Sequence, residues 1–99
     1  MIIEIKHPTG YMGIDAYALI DHMWLADYKK HFAPLFAKHG TPEQQTAFLK
    51  LLDEQIESQT KKFNEVASAS PLVKSRVNGA FNKLKRYKTM RDVLKELMS

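Results

Sequence analysis

The chain has 99 residues, 44% of them hydrophobic and 26% charged, with a net charge of +4 and no cysteine. That composition fits one globular domain with a single modest core, and it excludes a disulfide framework, a thiolate metal site and a thiol nucleophile. No apolar run approaches the ~18–20 residues of a membrane span, and residues 1–10 lack the basic and apolar regions of a secretory signal, so a cytoplasmic protein with no membrane partner is expected.

The first element read along the chain is a short strand over residues 2–6, within an extended N-terminal arm, 1–12. His7-Pro8-Thr9-Gly10 carries Pro at the second and Gly at the fourth position of a type I turn. A lone strand must lie along the helices or pair with another chain.

A helix is predicted over 15–39, with Asp15 as its N-cap. At about 100° per residue, Tyr17, Ile20, Trp24, Tyr28, His31 and Leu35 share one stripe, widened by Leu25, Phe32 and Phe36. Pro34 lacks the N–H that would bond residue 30, so a kink or break is expected near it. Gly40 ends this helix, after Lys38 and His39 in its last turn.

Thr41-Pro42-Glu43-Gln44 is the clearest boundary: an N-cap Thr, Pro at N1 and Gln at N3 closing a capping box. It starts a second helix, 42–67, and the near absence of a linker predicts that the first two helices form an αα-hairpin. Phe48, Leu52, Ile56, Phe63 and Val66 mark its apolar stripe, which Gln59 and Thr60 cross.

The connection Ala-Ser-Ala-Ser-Pro, ending at Pro71, is small and polar and should be exposed. Ser70 as N-cap and Pro71 at N1 predict a third helix, 71–87. Its seam is Val73, Val77, Ala80, Leu84 and Tyr87. Met90, Val93, Leu94 and Leu97 then form a stripe rotated by about 110° from that seam at 100° per residue. A joint at Lys88–Thr89 explains the shift, with Thr89 capping a short fourth helix, 90–98. The expected fold is thus a single, mainly α domain: three substantial helices, a short C-terminal one and an N-terminal arm.

Charge is uneven. From residue 71 onward eight basic residues face two acids, Asp92 and Glu96, whereas the rest of the chain is slightly acidic. A basic C-terminal third on such a body points to a polyanion or an acidic protein surface.

Chemistry-bearing patterns are few. Asp27 and His31 are i,i+4 on the first helix, but two ligands do not make a metal site and no H-E-x-x-H occurs. A hydrogen-bonded polar pair at the core edge is the simpler expectation. Gly10 and Gly13 lack the further glycines, parallel sheet and Lys-Ser/Thr of a phosphate-binding loop. Ser68, Ser70 and Ser75 have no G-x-S-x-G setting. No catalytic residue, metal ligand or cofactor is therefore assigned, and an enzyme is not expected.

Binding surfaces are better supported. Tyr17, Trp24 and Tyr28 are of the types enriched in interface hot spots, and equally ordinary core residues. On the third helix Lys74, Lys85 and Lys88 lie on one flank beside Phe81. Arg76 and Lys83 lie on the other, and Arg86 sits near the back. Asn78, Gly79 and Asn82 are small and polar, and would admit the backbone of another protein between basic flanks meeting acidic rims. The alternative is nucleic acid read by the basic third, although its aromatics are not interleaved with cations on one surface. Ser70–Pro71 is an exposed bond that a proline-recognising partner could read, beside its role as a helix start.

The segment Met-Ile-Ile-Glu-Ile-Lys-His-Pro-Thr-Gly-Tyr-Met-Gly-Ile-Asp-Ala-Tyr, followed by compact helices and an exposed Ser-Ala-Ser-Pro-Leu-Val turn, resembles small phage-encoded inhibitors of host DNA-processing machines, most nearly the lambdoid-phage anti-RecBCD accessory proteins. The resemblance covers the build of the whole chain and carries no residue-level motif. It implies docking on a host nuclease–helicase complex and a change in how that complex acts on DNA ends, without catalysis by this chain.

Overall fold

The structure, a computed structural model, describes residues 2–7 and 10–99. Strand β1, Ile2–His7, pairs antiparallel with β2, Gly10–Asp15, from Ile2 opposite Asp15 to His7 opposite Gly10. The expected arm over 1–12 is therefore a two-stranded hairpin within the chain. The type I turn expected around Pro8 and Thr9 lies outside the described residues. Ile3 and Ile5 are buried while Ile2 and Glu4 face solvent, the period-two pattern of a strand with one packed face. Gly10 adopts φ 151°, open to glycine at little cost.

Asp15 caps α1, Ala16–His22, by accepting the Tyr17 N–H at 3.0 Å. The single helix expected over 15–39 is instead broken. Met23 and Trp24 are extended, with ψ of 136° and 134°. A short turn, α2, Leu25–Asp27, follows, then a π-helical turn, Tyr28–Phe32, and α3, Ala33–His39. The Ala33 N–H reaches back to the Tyr28 carbonyl. This wide turn stands just ahead of Pro34, whose ring would clash with the carbonyl of residue 30 in an α-turn. The break itself lies upstream, where no Pro or Gly marks it.

Helix α4, Pro42–Ala67, begins as expected. Gln44 N–H donates to Thr41 Oγ1 at 3.1 Å and Thr41 N–H to Gln44 Oε1 at 3.0 Å. Gln44 Nε2 also donates to the Glu4 carbonyl, tying β1 to this corner. Gln45 Nε2 reaches the Phe36, Ala37 and Gly40 carbonyls and closes the end of α3.

Helix α5, Lys74–Met98, is one unbroken helix, so the expected boundary at 88–89 and the separate helices 71–87 and 90–98 are not present. Thr89 does not cap: its Oγ1 donates to the Lys85 carbonyl at 2.8 Å, one turn back. The phase shift disappears because Met90 and Leu94 continue the seam of Ala80, Leu84 and Tyr87, whereas Leu97 is exposed. Arg91 stays at the rim beside Asp53 of α4 and its own neighbour Asp92. The helix also starts later than expected. Ser70 and Pro71, joined by a cis peptide, precede it in the exposed connection.

The αα-hairpin is α4 with α5, not the first two helices. Helix α3 meets α4 at a corner, where Phe36 stands edge-on to Phe48 with ring centroids 5.4 Å apart. Two helices of 26 and 25 residues are each roughly 38 Å long at 1.5 Å per residue, and they set the long axis of a body measuring 54 × 23 × 22 Å. Its radius of gyration, 15.2 Å, exceeds the ~13 Å of a compact chain of this length. The core gathers β1, α1, the π turn, α3, the first half of α4 and the second half of α5 around Ile5, Tyr28, Phe36, Phe48 and Met90. The other halves of α4 and α5 run on past it. Among the described residues no helix is long and apolar enough to cross a membrane.

Candidate protein-docking site

The break after α1 is built by a residue of the far C-terminal helix. A helix that stops leaves its last carbonyls without partners and its negative dipole end uncovered. Arg86 of α5 supplies both needs. Its Nε donates to the Ile20 carbonyl at 2.7 Å and its Nη2 to the Leu19 carbonyl at 3.2 Å and to that of Met23. The planar guanidinium makes this three-way grip with donors on two nitrogens in a fixed fork, a geometry that a lysine ammonium does not reproduce. Next to it, Tyr87 Oη donates to Asp21 Oδ1 at 2.7 Å. Burial first, then the hydrogen bond and charge of Asp21, push the Tyr87 phenol well above its ordinary pKa, with Arg86 opposing. These contacts clamp α1 to α5.

On this clamped break stands Trp24, 79% exposed. Its carbonyl accepts the Tyr28 N–H at 2.9 Å, so the backbone is held on both sides of the indole. Tyr17, in the first turn of α1, is 49% exposed. Tyr28 is not on this surface. Its ring is fully buried and its Oη donates to the Met90 carbonyl at 2.7 Å, and burial drives its pKa far up. The three aromatics predicted on one stripe are thus separated by the break, two outside and one in the core. Met23, next to Trp24, walls an apolar groove of about 470 Å³ with Ile14, Phe32 and Leu35.

Asp27 and His31 line the same groove. Both are exposed and no hydrogen bond joins them, so the expected core-edge pair is not formed. Among the described residues no three His, Asp or Glu side chains gather as a metal site.

The residues predicted on the third helix divide between structural and surface roles. Arg86 is taken up by the α1 carbonyls and does not join a basic surface. Lys74, Arg76, Lys83, Lys85 and Lys88 are exposed, as are Asn78, Gly79 and Asn82. Arg76, Gly79 and Lys83 line a groove of about 440 Å³ with Gln59, Lys62 and Val66 of α4. Phe81 is on the opposite flank, 6.1 Å from Phe63 by ring centroids, and is half exposed. Leu72 and Val73 are exposed where the connection enters α5. Ser70 and Pro71 are exposed as well.

The α4 wall of the groove was not foreseen, although Gln59 interrupting an apolar stripe is its signal in the sequence. Gln59 is buried and donates to the Ala80 carbonyl at 3.3 Å. The role of Arg86 left no local trace, because its partners lie more than sixty residues away along the chain.

No protein-family model, no curated protein and no solved structure matches this chain.

Proposed function

We propose that this chain is a small docking module that acts in the cytoplasm without catalysis of its own and binds a larger protein through Trp24 and the adjoining Met23–Leu35 groove. The observation that carries the reading is Trp24, 79% exposed on a backbone that Arg86 pins from another helix. Burying an indole removes about 150–250 Å² from water. A free chain gains nothing from leaving that area wet. A rigid anchor loses little entropy on docking, so more of the burial appears as affinity.

The resemblance to anti-RecBCD accessory proteins makes a host nuclease–helicase complex the first partner to test, with this chain as its inhibitor or modulator. Nucleic acid bound directly by the basic third has less support, because Arg86 is occupied and the remaining cations are divided between the groove, with Arg76 and Lys83, and the flank of Phe81, with Lys74, Lys85 and Lys88.

The test titrates the chain into purified nuclease–helicase complex, with and without nuclease treatment, and reads complex formation and DNA-end processing. Trp24→Ala should keep its circular dichroism and lose about 2 kcal/mol of binding or more, the hot-spot scale. A Trp24→Ala variant that binds as well as the parent sinks the reading. Binding that vanishes on nuclease treatment replaces it with the nucleic-acid alternative.

A further inference from the structure

We propose that the groove between α4 and α5 at the far end of their hairpin is a second docking site, which takes an acidic segment of a protein partner. It is separate from the Trp24 surface and does not depend on it.

Three cations wall this groove: Lys62 from α4, and Arg76 and Lys83 from α5. None of them has a carboxylate partner among the described residues, where the ion pairs are Lys61–Glu57, Arg91–Asp53 and Arg91–Asp92. Like charges placed around one concavity repel one another and focus a positive potential into it. An acidic ligand relieves that repulsion.

The floor adds a shape requirement. Between the cations the groove is lined by Gln59, Val66, Gly79 and Ala80, of which Gln59 and Ala80 are buried and Gly79 is exposed. Glycine inside a helix weakens that helix, and among the described residues no group comes within 4 Å of the place a Cβ on Gly79 would take. A segment whose backbone or small apolar side chain rests over Gly79 and Ala80, with carboxylates reaching Lys62, Arg76 and Lys83, fits both the floor and the walls.

A polynucleotide fits less well. Single-strand binders set aromatics among the cations so that bases can stack. At 100° per residue Phe81 lies roughly 160° around α5 from Lys83, and it packs on Phe63 instead.

The test follows backbone amide shifts of the full chain by NMR. It compares a synthetic Glu-rich peptide with one central leucine, the same peptide with every Glu replaced by Lys, and a single-stranded oligothymidylate. The Glu-rich peptide should shift Lys62, Arg76, Gly79 and Lys83 and weaken with salt, and the Lys-rich peptide should leave them unmoved. Gly79→Leu, whose Cβ enters open space, and Lys83→Glu should each weaken the peptide roughly tenfold. Trp24→Ala should bind it like the parent, so loss of the Trp24 site and loss of this one are read separately. The proposal is overturned if the peptide shifts no groove residue, if Gly79→Leu and Lys83→Glu bind it unchanged, or if the oligothymidylate binds the same residues more tightly than the peptide.

Discussion

The two ends of the α4–α5 hairpin are built from similar helical sequence and do different work. At one end the helices bury Phe48, Leu51, Leu52, Tyr87, Met90 and Leu94 beneath the strands and the α1–α3 segment. At the other they bury Gln59 and Ala80 and leave Phe81, Leu72 and Val73 in contact with water. A helix seen from its sequence alone is a stripe and a pair of caps. What the stripe meets is set by elements elsewhere in the chain. The packed end is held by aromatic burial, which is worth kilocalories per side chain. The protruding end is held by one thin seam, so its surface can be altered at small cost to the fold.

The largest expected contrast comes from removing one aromatic at each end. Phe36 is fully buried and stacks on Phe32 at 5.2 Å as well as meeting Phe48. Phe36→Ala should cost about 3–5 kcal/mol, the range for aromatic truncation in a core. Phe81→Ala, half exposed against Phe63, should cost about 1 kcal/mol or less, near the value of a single aromatic pair. Urea unfolding of the two variants checks the difference. Equal losses would mean that the protruding end is as firmly packed as the core.

Next in size is the clamp that joins α1 to α5. Arg86→Leu leaves the Ile20 and Met23 carbonyls without the Arg86 donor, while the Leu19 carbonyl keeps only the Met23 N–H. The expected loss is about 2–3 kcal/mol, the scale of hydrogen bonds to a charged group. Arg86→Lys should recover only part of it, since an ammonium gathers its donors on one nitrogen and lacks the fixed Nε–Nη2 fork. The same variants should loosen the backbone under Trp24, read as faster amide exchange at Met23 and Trp24. If exchange there stays slow in Arg86→Leu, the guanidinium is not what holds the break.

How much of this could be read in advance depended on how far apart the partners lie. The Thr41–Gln44 capping box is local, and both of its bonds form as the sequence predicts. The boundary at Ser70–Pro71 looked equally local, but helix α5 starts at Lys74. The break expected at Thr89 rested on Met90, Val93, Leu94 and Leu97 forming one core stripe. Met90 and Leu94 are buried and Val93 packs on the core, but Leu97 is exposed, and one unbroken helix accommodates the other three. The pairing of β1 was hidden because its partner strand carries Gly10 and Gly13 and reads as a loop. Two features of the candidate surfaces, the Arg86 grip and the Lys62 wall of the groove, depend on contacts between distant parts of the chain. Periodicity places residues on faces and says nothing about which other element those faces meet.

The smallest effect gives the sharpest form of the comparison, because one substitution changes sign between the two regions. A Cβ on Gly40 would come within 2.6 Å of the Phe36 carbonyl and 2.7 Å of the Phe36 ring. Gly40 has φ −66° and ψ 144°, so the position demands glycine for close approach rather than for an unusual backbone. Gly40→Ala must push Phe36 against the packed core, and about 1–3 kcal/mol of destabilisation is expected, as for other overpacked sites. Gly79 has open space where its Cβ would be, and it lies inside α5. Gly79→Ala should therefore stabilise the fold by about 0.5–1 kcal/mol through helix propensity alone. Thermal unfolding of the two alanine variants gives the answer directly. Opposite shifts mean that the fold requires glycine at the packed corner and merely tolerates it at the protruding end, where its absence of a side chain is left for a partner to use. A destabilised Gly79→Ala variant would instead place that glycine among the residues that the fold itself needs.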